Sequence, residues 1–266
     1  MRIGRFSFKG RPFEGQILGD RVRELGTERV FCLEELIVLA PVTPSKIVAA
    51  GLNYRQHEEH GHILPASPLI FLKPPSSLTI HGAGIPYPAQ SREVYFEGEL
   101  AVVIRRRASS IMASQANDYI LGYCCSNDVT AWDILMRENN FGVAKSFDGF
   151  TPVGPWVETD IDPSALCIET RLNGELRQNA LTSDLVFPVP ELIAFISRVM
   201  TLEPGDLILT GTPPGMGPMS VGDQVEVTVE GIGSLCNGVC RPVNPCDVAI
   251  TDDQLACVDI QTGVSQ

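Results

Sequence analysis

The amino-acid sequence predicts a β-dominated α+β fold. Three observations carry that expectation. Short runs of alternating apolar and polar residues recur along the chain, stretches with helical spacing are few, and turn-forming residues are frequent, with 24 glycines and 20 prolines. The opening runs RIGRFSF and FEGQIL alternate, and FCLEELIVLAP follows them, so residues 1–44 read as a small β-rich N-terminal domain. PVTPS punctuates the chain there, and KIVAAGLNY opens the main domain, residues 45–242, as a buried strand. A polar turn or short helix holds three of the four histidines. PLIFLKPPSSL is a strand stopped by a proline pair, and EVYFEGELAVVIRR is the strongest strand pattern in the chain. ASQANDYILGYCCSNDV reads as a helix running into a strand, and the apolar residues of VPELIAFISRVMTL recur with helical period. EPGDLILTGTPPGMGP is a strand followed by a Gly/Pro-rich loop. VGDQVEVTVEGIGSLCNGV pairs two alternating runs around Gly231 and Gly233, as a hairpin does. Residues 243–266 lose periodicity and read as a loosely packed tail.

Composition narrows the function classes. The chain has 266 residues, 44% of them hydrophobic and 20% charged, which is ordinary for a globular protein with a sizeable core. A net charge of −12 without a basic patch argues against nucleic acid as a partner. The one basic run, Arg105-Arg106-Arg107, ends an apolar strand and reads as its solvated end. No apolar run reaches the roughly 18 residues of a membrane helix, and MRIGRFSFKG lacks the apolar middle of a signal peptide, so a cytosolic protein is expected. The eight cysteines are read as free thiols. Cys236, Cys240 and Cys246 are spaced C-x3-C-x5-C, a weak zinc pattern at best. GTPPGMG lacks the lysine of a phosphate-binding loop, and no dinucleotide fingerprint is present.

Three features carry chemistry. In FEGELAVVI, Glu97 and Glu99 are two residues apart in a strand pattern and so point to one face. Two carboxylates on one face of an apolar strand repel unless a cation neutralises them; the plain alternative is a solvated acidic face. Asp128, in CCSNDVTAWD, ends another apolar run and supplies a third carboxylate. Such an oxygen-rich set suits Mg²⁺ or Mn²⁺ rather than zinc. A cation there would chelate a 2-oxo acid or β-diketone and stabilise an enolate. Lys145 stands alone in an apolar neighbourhood, where a buried lysine needs a carboxylate partner. NYRQHEEHGH gathers His57, His60 and His62, but Gly61 stands where HExxH needs its second histidine.

Taken in order, KIVAAGLNYRQH, PLIFLKP, FEGELAVVI, GYCCSNDVTAWD, AKSFDGFTPVGPW, LNGELRQ, LEPGDLILTGTPPGMGP and VGDQVEVTVEGIGSLCN give the chain a close resemblance to the fumarylacetoacetate hydrolase family over residues 46–239. The resemblance implies a mixed β-roll catalytic domain, a homodimer, and a divalent cation held by Glu97, Glu99 and Asp128. It places the family's active-site lysine on Lys145, a further lysine expected to contact substrate on Lys73, the substrate-lining loop on Thr210–Pro213 with Gly211 and Thr212, and a lid histidine on His57. Three positions depart from the family pattern. His60 stands where a glutamate partner for the lid histidine is common, so His57 and His60 are read as a catalytic pair that relays a proton; Trp132 replaces an arginine, and Leu135 replaces a polar residue. Losing the arginine removes a clamp for a second carboxylate, and the tryptophan and leucine favour a ring or an apolar chain. The expected substrate is therefore a 2-oxo acid or 1,3-dicarbonyl less polar than oxaloacetate. Hydrolytic C–C cleavage ranks first among the reactions, ahead of decarboxylation and keto–enol isomerisation. A ligand-binding pseudoenzyme is the competing class, and a zinc site at HEEHGH is the weakest reading.

Overall fold

The computed structural model describes residues 1–241. The expected tail, with Cys246 and Cys257, lies outside the described residues. The chain centres on the strand Gly98–Ile104, every residue of which is buried. It pairs antiparallel with Ile120–Asn127 on one side and Leu207–Leu209 on the other. The sheet continues through Ile47–Gly51 to Leu69–Lys73 at one edge. In the other direction it runs through Thr151–Glu158 to the N-terminal strands, twelve strands in all.

Both faces of the central strand are covered, which is why its sequence reads as a continuous apolar run. Leu100, Val102 and Ile104 enter the larger core with Phe96, Ile208, Leu192 and Ile193. Ala101 and Val103 pack on the opposite face with Ile47, Ala49, Leu207 and Leu209. Residues Val189–Val199 form an eleven-residue helix that buries Leu192, Ile193 and Ile196. No helix among the described residues is long and apolar enough to cross a membrane.

The N-terminal strands have a cluster of their own, Phe6, Phe13, Val22 and Leu36. Their first strand, Arg2–Phe8, also pairs with Thr151–Glu158 through Arg2↔Glu158 and Ile3↔Val157, so the sheet runs without a break from this piece into the main one. A separate five-stranded sheet contains the expected hairpin, Gln224–Val229 with Gly233–Cys240.

Two elements differ from the sequence expectation. Residues Ala113–Tyr119 form a 3₁₀ helix rather than an α-helix. Ser114, Asn117 and Asp118 compete for backbone hydrogen bonds, and Ala116 is the only buried residue there, so no apolar stripe holds a longer helix. The strongest strand pattern is two strands in different sheets. Val94–Phe96 pairs with Thr130–Ala131 and Gly217–Met219, and Gly98–Ile104 belongs to the main sheet. The break falls at Glu97, whose amide donates to the Asn127 side-chain oxygen at 2.8 Å instead of to a neighbouring strand. Gly98 permits the break. A Cβ there would lie 1.9 Å from Thr170 Oγ1.

Candidate active site

The break in the strand aims Glu97 at the same point as Glu99. Asp128 arrives from the adjacent strand end, where Gly98 lies opposite Asn127, and its amide donates to the Glu97 carbonyl at 2.8 Å. All three carboxylates are buried, and one oxygen of each lies within 4.8 Å of the others. The solvated acidic face is thereby excluded.

Two buried lysines face this cluster. Lys145 follows the short helix Phe141–Ala144 and donates to Glu97 Oε2 at 2.9 Å and Asp128 Oδ2 at 2.6 Å. Lys73, at the end of the edge strand, donates to Asp128 Oδ1 and to the Phe150 carbonyl. The Thr130 hydroxyl donates to Glu97 Oε1 at 2.6 Å. Glu99 has no lysine contact; the Gly211 amide donates to its Oε2 at 2.7 Å. Gly211 has φ +101°, and a Cβ there would meet Asn53 Cβ at 2.8 Å, so glycine is needed to present that amide.

The electrostatics follow from this inventory. Burial pushes the Glu99 carboxyl well above the ordinary range, and the charges of Asp128 and Glu97 push it further. Burial also raises Glu97, against the opposing pull of Lys145. Asp128 is held low despite its burial, because Lys145 and Lys73 both sit on it. Burial works against the charge on Lys145, but the two carboxylates outweigh it and raise its pKa. When all five groups are ionised, three carboxylates face two ammonium groups and one negative charge is left over. Glu99 is the carboxyl with no lysine contact, and the three-carboxylate donor set fits Mg²⁺ or Mn²⁺.

The cluster forms the floor of a cavity of about 210 Å³. Its walls are largely apolar and come from Phe71, Trp132, Leu135, Met136, Phe141 and Met216, and among the described residues no arginine lines it. Trp132 stacks on Tyr95 with centroids 5.0 Å apart, and Phe71 stacks on Phe141 at 4.8 Å. His57, on the single turn Gln56–Glu59, is buried at the rim. Its Nε2 lies 2.8 Å from the Thr212 carbonyl, which can only accept, so Nε2 carries the hydrogen and Nδ1 is the basic nitrogen. Burial lowers the pKa of this ring below 6.5; the bond to Thr212 opposes that shift, and His62 and His60 add to it.

Most of the residues singled out from sequence converge here: Glu97, Glu99, Asp128, Lys145, Trp132, Leu135, Thr212 and His57 all line the cavity. Three are placed otherwise. Lys73 lies beneath Asp128, sealed from the cavity as its counter-ion. Gly211 faces Glu99 rather than the cavity. His60 is exposed, with Nδ1 3.0 Å from the Gln56 carbonyl of its own turn, because the turn ends there and points the ring outward. His62, to which the sequence assigns no separate role, lines the cavity.

Sequence reasoning also missed Phe71, Phe141 and Met216. Phe71 could have been found, since it shares a strand face with Lys73 at i and i+2. Gln178 was missed too. It accepts the Gly98 amide and donates to Thr212 Oγ1 and the Pro213 carbonyl, clamping the loop to the central strand.

Fold and site together define an enzyme-type cavity with an acidic cluster able to hold a metal ion. The chain belongs to the fumarylacetoacetate hydrolase family: the model of the fumarylacetoacetate hydrolase C-terminal domain matches residues 46–240. It is 40% identical over 232 residues to oxaloacetate tautomerase YisK of Bacillus subtilis, covering 81% of this chain and 77% of that one. The structure of 5-carboxymethyl-2-hydroxymuconate delta-isomerase from Mycobacterium smegmatis superposes with a TM-score of 0.87 and 40% identity, over 91% of this chain and all of that one. Maleylpyruvate hydrolase from Sphingobium, solved with manganese(II) and pyruvate, superposes with a TM-score of 0.78 and 30% identity, again over 91% of this chain and 100% of the other.

Proposed function

We propose that the protein is a divalent-cation-dependent enzyme that transfers a proton at the carbon beside the keto group of a 2-oxo acid or 1,3-dicarbonyl, interconverting keto and enol forms. One observation carries the choice of reaction. Among the described residues no carboxylate hydrogen-bonds to His57, and Glu58 and Glu59 of its own turn are exposed. Activating a water for C–C hydrolysis calls for a base made stronger by an acidic partner. Moving a proton to and from an acidic carbon needs only a neutral imidazole near the working pH, and His57 is one. The relatives named a tautomerase and an isomerase support the same reading. Hydrolytic C–C cleavage is kept as a second reading because of the likeness to maleylpyruvate hydrolase.

Glu97, Glu99 and Asp128 would hold Mg²⁺ or Mn²⁺, which supplies chelation of the two substrate oxygens and stabilises negative charge there. Lys145 adds a fixed positive charge beside that point, and Gly211 and Thr130 hold the carboxylates in place. Phe71, Trp132, Leu135 and Met136 exclude water and accept an apolar or aromatic end of the substrate.

The test is enol-to-keto conversion of phenylpyruvate and oxaloacetate, each with and without Mg²⁺. The expected result is Mg²⁺-dependent turnover, with kcat/KM for phenylpyruvate about tenfold or more above that for oxaloacetate. The reverse preference would refute the apolar substrate. Mg²⁺ binding without turnover on either, or on a wider dicarbonyl panel, would favour a binding protein.

A further inference from the structure

His57 is a base with one exit. It is buried, and its Nε2–H is committed to the Thr212 carbonyl. Proton traffic must therefore pass through Nδ1. A proton taken from substrate carbon onto that nitrogen has to return to the substrate or reach solvent through a neighbour.

The titratable groups around the cavity are few. Glu97, Glu99, Asp128 and Lys145 form its floor and are engaged with one another, with hydroxyls or with a backbone amide. Glu58 and Glu59 are exposed, and His60 is exposed and turned to the Gln56 carbonyl. His62 is left. Its ring meets that of His57 edge to face, with centroids 5.7 Å apart and planes at 88°. Its backbone amide donates to the His57 carbonyl at 3.1 Å, which fixes the pair within one turn of chain. Gly61, at φ +82°, makes the turn between them. His62 lines the cavity and is also solvent-exposed, so it touches both ends of the path that His57 lacks.

We propose that His62 is the relay residue through which the buried His57 exchanges its catalytic proton with solvent. The inference rests on the enolising chemistry proposed above. The bookkeeping closes with two neutral rings. The C–H proton moves to His57 Nδ1, leaving the electron pair on the substrate. A turn of the exposed His62 ring out of the edge-to-face arrangement brings one of its nitrogens to take the proton from Nδ1, and the N–H on its other side gives a proton to water. The residue acts through His57 and is not assigned a contact with substrate.

The probe is pyruvate in D₂O with Mg²⁺, its methyl protons followed by ¹H NMR. His62→Gln is expected to slow exchange of the methyl protons by about tenfold or more, and added imidazole to restore part of the rate in His62→Ala. His60→Gln is expected to slow exchange less than His62→Gln. A second readout needs neither metal nor turnover: NMR titration of the ring protons. Removing His62 should move the His57 titration upward, by more than removing His60 does. An unmoved His57 titration in His62→Gln, or exchange as fast as in the wild type, overturns the relay. A wild type inert towards pyruvate whose His57 titration still moves in His62→Gln would count against the enolising function and leave the pair standing.

Discussion

Replacing Lys145 with methionine tests whether the carboxylate cluster is a cation site under electrostatic tension. Lys145 Nζ sits 2.9 Å from Glu97 and 2.6 Å from Asp128, with 2% of the residue exposed. At an effective dielectric constant near 20, each contact amounts to roughly 6 kcal/mol of gross attraction, and desolvation of the ammonium group cancels much of it. Breaking such a buried pair from one side costs about 3–5 kcal/mol, because the remaining charges lose their partner. In K145M, Glu97 keeps only the Thr130 hydroxyl and Asp128 keeps only Lys73. For a domain of this size the loss corresponds to a fall in Tm of roughly 6–20 °C without metal. Its pH dependence has a definite sign. With Lys145 gone, both carboxyls titrate higher in the folded chain than they do in the wild type. The folded variant then binds protons that the folded wild type releases, so the deficit grows as pH rises through the carboxylate range. Calorimetry of metal-free protein should therefore show a larger deficit at pH 8 than at pH 5. Mg²⁺ should recover more stability in K145M than in the wild type. A metal-free K145M melting within about 2 °C of the wild type at pH 8 would refute the reasoning.

Three further outcomes follow from the same geometry. Mg²⁺ at a hundredfold excess over its Kd should stabilise the wild type by about 2.7 kcal/mol in thermal melts; Glu99→Gln should lose that response while its metal-free Tm holds or rises, since a buried charge is gone. His57 is held neutral below its ordinary 6.5, so the unfolded chain binds a proton that the folded chain does not. Stability should fall as pH drops below that value, the acid limb of activity should lie below it too, and His57→Asn should remove the former and about 10²–10⁴-fold of the rate. Gly98→Ala drives a methyl group to 1.9 Å from Thr170 Oγ1, which should cost about 3 kcal/mol or more by urea unfolding, with partial recovery in the double variant that also carries Thr170→Ala.

Much of the site was legible because its chemistry is written at short spacings. Two glutamates two residues apart in an apolar run have no stable solvated explanation once the run is covered, and the structure buries both, Glu97 at the break and Glu99 in the strand behind it. Lys145 was legible for the complementary reason, a lone cation among apolar residues. What stayed hidden depends on long-range placement. Nothing local tells that the edge strand ends beneath Asp128, so Lys73 read as a substrate contact when it is a counter-ion. For His60 and His62, counting positions misleads. His60 is three residues from His57, but the turn ends at it, and Gly61 brings His62 back to the cavity. The strand break at Glu97 was hidden as well, because its cause is a side chain thirty residues away, Asn127.

The site also has a history in time. Its hydrogen bonds join residues far apart in the chain: 112 positions separate Gly211 from Glu99, 155 separate His57 from Thr212, and 55 separate Lys73 from Asp128. The three carboxylates fall within residues 97–128, but the amide and the lysine that hold Glu99 and Asp128 arrive only when the non-local strand pairings have closed. A divalent ion therefore has nothing to grip in the unfolded chain and little in an early folding intermediate. Its stabilisation should appear as slower unfolding rather than faster folding, so sensitivity to Mg²⁺ marks the moment at which the fold is complete.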